Sequence, residues 1–232
     1  MSGTLYGVGV GPGDPELLTL KAVRILQQTP VLAYPAPLAG DSLARSIASP
    51  HIQAGKTEIA IRLPFSPDRG DSESRYDIAS ENLSAHLEAG RDVALLCLGD
   101  PLFYGTFAHV LARVAGRFPV AVVPGVTSLA AASAAVAMPV AMGDESLAVI
   151  PATLDEDTIA ARIDAADCAA IVKIGRNLGK VRGILTRLGL AGEARYIEFA
   201  SAETQRVRKL AEVAEDEAAY FAIVLAPKRT NP

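Results

Sequence analysis

One stretch near the amino terminus, Gly7-Val8-Gly9-Val10-Gly11-Pro12-Gly13-Asp14-Pro15, constrains the fold more than any other. Four glycines and two prolines within it describe a sharp turn with close backbone approach. Leu5 and Tyr6 lead in as the end of a strand, about Thr4 to Val10, and a helical pattern runs from about Leu17 to Gln28. A glycine turn between strand and helix belongs at the carboxyl edge of a parallel sheet, where small molecules bind. A tight turn that serves only the fold is the plainer reading of the same residues.

Val31-Leu32-Ala33-Tyr34, closed by Pro35 and Pro37, reads as a second buried strand, so the chain opens as βαβ. Ser42 to Ser49 is a weak helix and Glu58 to Leu63 an alternating strand. The polar segment from Pro64 to Ser72 is either a substrate-facing loop or a plain solvated one. Arg75 to Ala89 is amphipathic, with Ile78, Leu83 and Leu87 on one side and Gly90 as its stop. Asp92 to Leu98 is almost wholly apolar, the mark of a strand covered on both faces. It runs into a second loop, Gly99-Asp100-Pro101-Leu102-Phe103-Tyr104-Gly105. A helix over Phe107 to Ala115 and a strand over Val120 to Val123 follow, then a third loop, Pro124-Gly125-Val126-Thr127-Ser128.

The pattern changes near Pro124. Beyond it strands are expected at Ser146–Ile150, Cys168–Ile174, Ala194–Phe199, Arg206–Leu210 and Ala219–Leu225. Helices are expected at Leu129–Ala137, Asp155–Ala165 and Leu178–Leu188, with Asp157 and Thr158 either capping or charging the first turn of the middle one. The fold class expected is α/β with two unlike domains, residues 1–123 built on a mainly parallel sheet and residues 124–232 on a mixed one.

Half of the residues are apolar, 21% are charged and the formal net charge is -4, which argues against disorder and against a general nucleic-acid binder. Cys97 and Cys168 both lie in apolar runs, as buried free thiols of a cytoplasmic protein would. No basic stretch leads into an apolar segment at the amino terminus, and no apolar run is long enough to span a bilayer, so no membrane association is expected.

The motifs that would carry familiar chemistry are missing. His51, His86 and His109 are dispersed, so no metal site is expected. Neither a nucleophile elbow nor a Walker A lysine occurs. Gly7, Gly9 and Gly11 do not keep the dinucleotide-binding spacing, and no acidic residue closes the second strand to hold a ribose. If the strands of the first half are parallel, three polar loops meet at one sheet edge. Backbone groups there would hold an adenosine-like ligand. Asp100 would offer its carboxylate to a ligand amine or hydroxyl, or cap the next helix.

Read together, the loops are specific. Tyr6 to Ala22, Leu98 to Thr106 and Val123 to Ser128 resemble, in order and spacing, the three signature segments of the tetrapyrrole (corrin and porphyrin) methylase family. Within it, Leu17–Pro35, the loop 64–71 and Tyr220–Ile223 are most similar to members that methylate C20 of precorrin-2 in cobalamin biosynthesis. The resemblance implies an S-adenosylmethionine-dependent C-methyltransferase, a homodimer, with an interdomain cleft. It implies cofactor contacts at Pro12, Gly99, Asp100, Leu102, Thr127, Ser128, Ile174 and Ala222. A different regiochemistry, a cobalt-containing substrate or a non-catalytic adenosyl-ligand sensor are the alternatives.

The donor already carries an activated methyl, so the protein must align it with an electron-rich carbon, exclude water and let a proton leave. No side-chain nucleophile is needed. Asp14 is either the group that steers or takes that proton, or a helix cap. Arg45, Arg62, Arg69, Arg75, Lys173 and Arg176 are candidate clamps for the macrocycle's carboxylates, or ordinary surface charges. Of these, Arg69 and Arg176 are the expected substrate-binding residues, and Arg176 is the better because it follows a strand end.

Overall fold

A computed structural model describes residues 1–64, 70–214 and 217–228. The chain divides into two units, Met1–Thr127 and Ser128–Pro232. The sequence pattern changes at residue 124, after the last strand of the first unit.

The first unit is a five-stranded sheet in the order β3-β2-β4-β1-β5. Its strands are β1 (Leu5–Gly9), β2 (Val31–Pro37), β3 (Thr57–Leu63), β4 (Val93–Cys97) and β5 (Val120–Val123). Every pairing is parallel. The central β4 is buried at all five positions, which is why its sequence shows no alternation. Helices α1 (Leu20–Gln28) and α2 (Leu43–Ala48) share one apolar cluster with Val8, Leu32 and Leu96. Helices α3 (Gly70–Glu88) and α4 (Phe107–Val114) share another with Leu5, Val31 and Leu95. Residues of opposite parity on the same strands face the two clusters, so helices cover both faces of the sheet.

Two boundaries differ from the sequence expectation. The first helix begins at Leu20, with the Thr19 hydroxyl accepting the Ala22 N–H at 3.1 Å. Pro15–Leu17 forms a separate 3-10 turn capped by Asp14. Helix α3 starts at Gly70, five residues before the amphipathic pattern. Its first turns are tied to α4, with Arg113 at 2.7 Å from Glu73 and 2.6 Å from Asp77. Of these two partners only Glu73 lies in the added turn, which local periodicity does not mark.

The second unit holds β6 (Leu147–Pro151), β7 (Cys168–Val172), β8 (Arg195–Glu198), β9 (Arg206–Lys209) and β10 (Ala222–Pro227), in the order β6-β7-β10-β8-β9. Only β6 and β7 run parallel; β10 is antiparallel to β7 and β8, and β8 to β9. Helix α5 (Ser128–Ala135) packs with Ala170, Ile197, Ile223 and Leu225 on one face. Helices α6 (Glu156–Asp164) and α7 (Leu178–Arg187) pack with Ile171, Tyr196 and Val224 on the other. Asp155 caps α6, its Oδ1 accepting the Thr158 N–H at 2.8 Å and its Oδ2 the Thr158 hydroxyl at 2.8 Å, while Asp157 charges the first turn rather than capping it.

Candidate functional site

Parallel pairing brings the loops after β1, β4 and β5 to one edge of the first sheet. The chain leaves β1 toward α1 and β4 toward α4, on opposite faces. Adjacent strands whose connections part in this way open a crevice at their carboxyl ends, where ligands of open α/β sheets bind. The first two loops cross-pair there, Gly99 N–H to Gly11 O at 2.8 Å and Gly11 N–H to Gly99 O at 3.3 Å. The third is drawn in by Asp100, whose Oδ2 accepts the Gly125 N–H at 3.0 Å while Oδ1 accepts the Leu102 N–H at 2.9 Å.

The approach of the loops explains two of the glycines. A Cβ on Gly125 would lie 2.2 Å from Gly99 O, and one on Gly9 would lie 2.6 Å from Gly125 Cα. Any side chain at either position would force the loops apart.

Pro12 is buried in the first loop. Asp14 accepts the Glu16 N–H at 2.8 Å, so the capping alternative for this residue is realised. Leu102 is 57% exposed and Tyr104 53% exposed, two large apolar side chains on the loop that carries Asp100. Tyr104 also holds a left-handed backbone, φ +57°. A non-glycine residue in that region is strained, and such residues gather where the surroundings impose a geometry for function. The Cys97 thiol, at the foot of this loop, is pushed up to about 12 by burial, so it is no nucleophile.

In the second unit the antiparallel register places the carboxyl ends of β7 and β8 beside the amino end of β10, with Ile223 opposite Val172 and Ala222 opposite Glu198. Ile174 and Ala222 therefore share one sheet edge. The same edge carries the left-handed residues Lys173, φ +58°, and Phe199, φ +46°. Nothing in the sequence signals these conformations. Ser128 is exposed at the first position of α5, and Thr127 is half-buried at the end of the first unit.

The candidate clamps separate by their partners. Arg45 is committed to Glu58, with Nε–Oε2 at 2.8 Å and Nη2–Oε1 at 3.0 Å. Arg62 donates through Nη1 to Pro37 O at 2.9 Å and Gly40 O at 2.7 Å. Arg75 donates to Arg62 O at 3.3 Å. Arg176 is exposed in a 3-10 turn, Gly175–Asn177. Arg69, and with it most of the Pro64–Ser72 loop, lies outside the described residues. Among the described residues no cluster of three or more metal-ligating side chains occurs, and no helix is long and apolar enough to cross a membrane.

Comparison with known proteins agrees with this architecture. The family model for Tetrapyrrole (Corrin/Porphyrin) Methylases matches residues 4–214. The precorrin-2 C(20)-methyltransferase of a Sinorhizobium species is 40% identical, over 97% of this chain and 95% of that protein. The cobalamin biosynthesis protein CobIJ of Mycobacterium tuberculosis is 44% identical over 97% of this chain, and the chain spans about half of that relative's length, 46%. The crystal structure of uroporphyrin-III C-methyl transferase from Thermus thermophilus, complexed with S-adenosylhomocysteine, superposes with a TM-score of 0.71 at 25% identity, covering 97% of this chain and 98% of that one. With the family pattern spanning most of both units and the three glycine-bearing loops in place, the chain belongs to the tetrapyrrole (corrin/porphyrin) methylase family.

Proposed function

We propose that the chain transfers a methyl group from S-adenosylmethionine to C20 of precorrin-2. The observation that carries the reading is the 40% identity, over nearly the full length of both chains, to a protein named for that reaction. The Thermus relative, complexed with S-adenosylhomocysteine, supports the choice of cofactor.

The loop edge of the first unit fits such a ligand. A carboxylate offers about four lone-pair sites, and two on Asp100 are engaged by backbone N–H groups, so acceptor capacity remains for an amine or hydroxyl. The exposed Leu102 offers apolar surface beside it. We assign Pro12, Gly99, Asp100, Leu102 and Thr127 to the cofactor, and from the second unit Ser128, Ile174 and Ala222.

S-adenosylmethionine, when bound, supplies a methyl activated by its sulfonium. The residues of the chain have the remaining tasks. Uncharged backbone and apolar side chains of the loops hold the methyl in line and keep water away. Asp14, on the β1 loop, is the carboxylate assigned to the proton that leaves C20, and Arg176 is assigned to the macrocycle's carboxylates. A homodimer belongs to the same reading.

Anaerobic turnover of precorrin-2 and of its cobalt complex, followed by NMR of the product, tests the reading. A new methyl at C20 is expected. A methyl at another carbon overturns the regiochemistry, and tight S-adenosylhomocysteine binding without turnover of either substrate makes the chain a sensor instead.

A further inference from the structure

The first unit carries a recess of about 250 Å³ on its parallel sheet, lined by Tyr34, Asp41, Ser46, Ser49, Arg45 and Arg62 among others. It lies toward the carboxyl ends of β2 and β3, the same edge as the glycine loops. Strand order puts only β4 between β2 and β1. At about 4.8 Å per strand, β2 stands about 10 Å and Arg62 on β3 about 14 Å along the sheet from the β1 loop.

Its two arginines differ. Arg45 is neutralised by the two-point contact with Glu58, which also accepts the Tyr34 hydroxyl at 3.0 Å. The Ser42 hydroxyl, donating to Pro35 O at 2.6 Å and accepting the Arg45 N–H at 3.2 Å, fixes the start of α2 against β2. This wall is pre-set and its charge is spent. Among the described residues, the Arg62 guanidinium is held by two carbonyls, Pro37 O and Gly40 O, both on Nη1. Among the described residues no carboxylate pairs with it, and its Nε–Nη2 edge makes no hydrogen bond. Asp41, the acidic residue of the lining, is exposed. A guanidinium oriented through one nitrogen, with its bidentate edge open, matches the planar fork of a carboxylate.

We infer that this recess seats one peripheral carboxylate of the tetrapyrrole on Arg62, and so sets which meso carbon meets the methyl donor. The inference rests on the function proposed above. Meso carbons of a macrocycle resemble one another in shape, and a charged contact away from the reacting carbon fixes the rotation of the ring. Arg62 is then a positioning residue, and Ser49, an exposed residue of the same lining, offers a hydroxyl.

The test compares the chain with Arg62→Gln and Arg62→Lys under anaerobic conditions, using enzymatically generated precorrin-2. Arg62→Gln is expected to raise KM for the macrocycle about tenfold. Its Kd for S-adenosylhomocysteine should stay within about twofold, product NMR should show C20 losing part of its share of the transferred methyl to other positions, and Arg62→Lys should recover part of both losses. Binding of a carboxyl-esterified macrocycle, followed by fluorescence quenching, should be weak for the unmodified chain and unaffected by Arg62→Gln. An unchanged KM in Arg62→Gln, an equal loss with the esterified macrocycle, or a parallel loss of S-adenosylhomocysteine binding overturns the assignment. If the unmodified chain turns over no reduced tetrapyrrole, the proposed function falls and this inference with it.

Discussion

The Asp100 carboxylate accepts the backbone N–H of Gly125, 25 residues further along the chain, at 3.0 Å. Its other oxygen holds Leu102 N–H at 2.9 Å. One side chain therefore ties the loop after β4 to the loop after β5, and the Gly11–Gly99 bridge ties that pair to the loop after β1. Loop architecture depends on this carboxylate, and in the function proposed above cofactor binding depends on it too.

Asp100→Ala should for that reason lower both stability and cofactor affinity. Two N–H groups lose charged acceptors at a half-buried site, a cost of about 1–3 kcal/mol. Thermal melting with and without S-adenosylhomocysteine, together with calorimetric titration, measures both effects. A mutant with unchanged melting and tenfold weaker binding would show the carboxylate to be a ligand group alone.

The relationship also marks where the sequence stops being informative. The strand–loop–helix grammar of the first unit was legible, because an all-apolar run such as Val93–Cys97 has one stable place, the middle of a parallel sheet. The glycine loops were legible because close approach demands glycine. Four features were not. The Asp100–Gly125 bond joins residues distant in sequence, and no local pattern encodes it. The early start of α3 lies outside the apolar periodicity, and its Glu73 pairs with Arg113 of another helix, 40 residues on. The left-handed Tyr104, Lys173 and Phe199 are ordinary residue types held in unusual backbone by their surroundings. Asp155 and Asp157 are equally good caps by type, and only the backbone geometry selects Asp155.

Asp14→Asn separates the two roles of that residue. Asparagine is as good a cap as aspartate, so the Pro15–Leu17 turn and the melting temperature should be preserved. If the carboxylate takes the proton from C20, kcat should fall about 100-fold or more while S-adenosylhomocysteine binds as before. Single-turnover methyl transfer decides; a rate within twofold of the parent leaves Asp14 a cap only.

Glycine substitutions should divide sharply by position. Gly125→Ala places a methyl 2.2 Å from Gly99 O, a backbone atom that cannot step aside without breaking the loop cluster. A loss of about 2–3 kcal/mol is expected, and of cofactor binding with it. Gly183, exposed within α7, has nothing within 4 Å of its Cβ position. There alanine should stabilise the chain by about 0.5–1 kcal/mol, since it restricts the unfolded chain and favours helix. Chemical denaturation of both mutants, read by circular dichroism, tests the pair; a destabilised Gly183→Ala contradicts the account of α7.

Glu58 supplies a test by pH. The hydrogen bond from Arg45 holds its carboxyl below the usual value of 4.5, with a smaller contribution from the Tyr34 hydroxyl and partial burial opposing both. A carboxyl whose folded pKa is depressed gives stability that is fully present above its unfolded value and is lost as pH falls through the folded one. Glu58→Gln should therefore melt lower than the parent at pH 7. The gap should begin to close below about pH 4.5 and vanish once the parent carboxyl is protonated in the folded state too. Because the pair is partly exposed, the gap at neutral pH is expected to be within about 1 kcal/mol, and smaller at high salt. Melting curves of both proteins between pH 3 and 7 read it directly. A gap that persists unchanged at pH 3 would mean that glutamine disturbs packing around Tyr34, and that the ion pair contributes little to holding Arg45 in the wall of the recess.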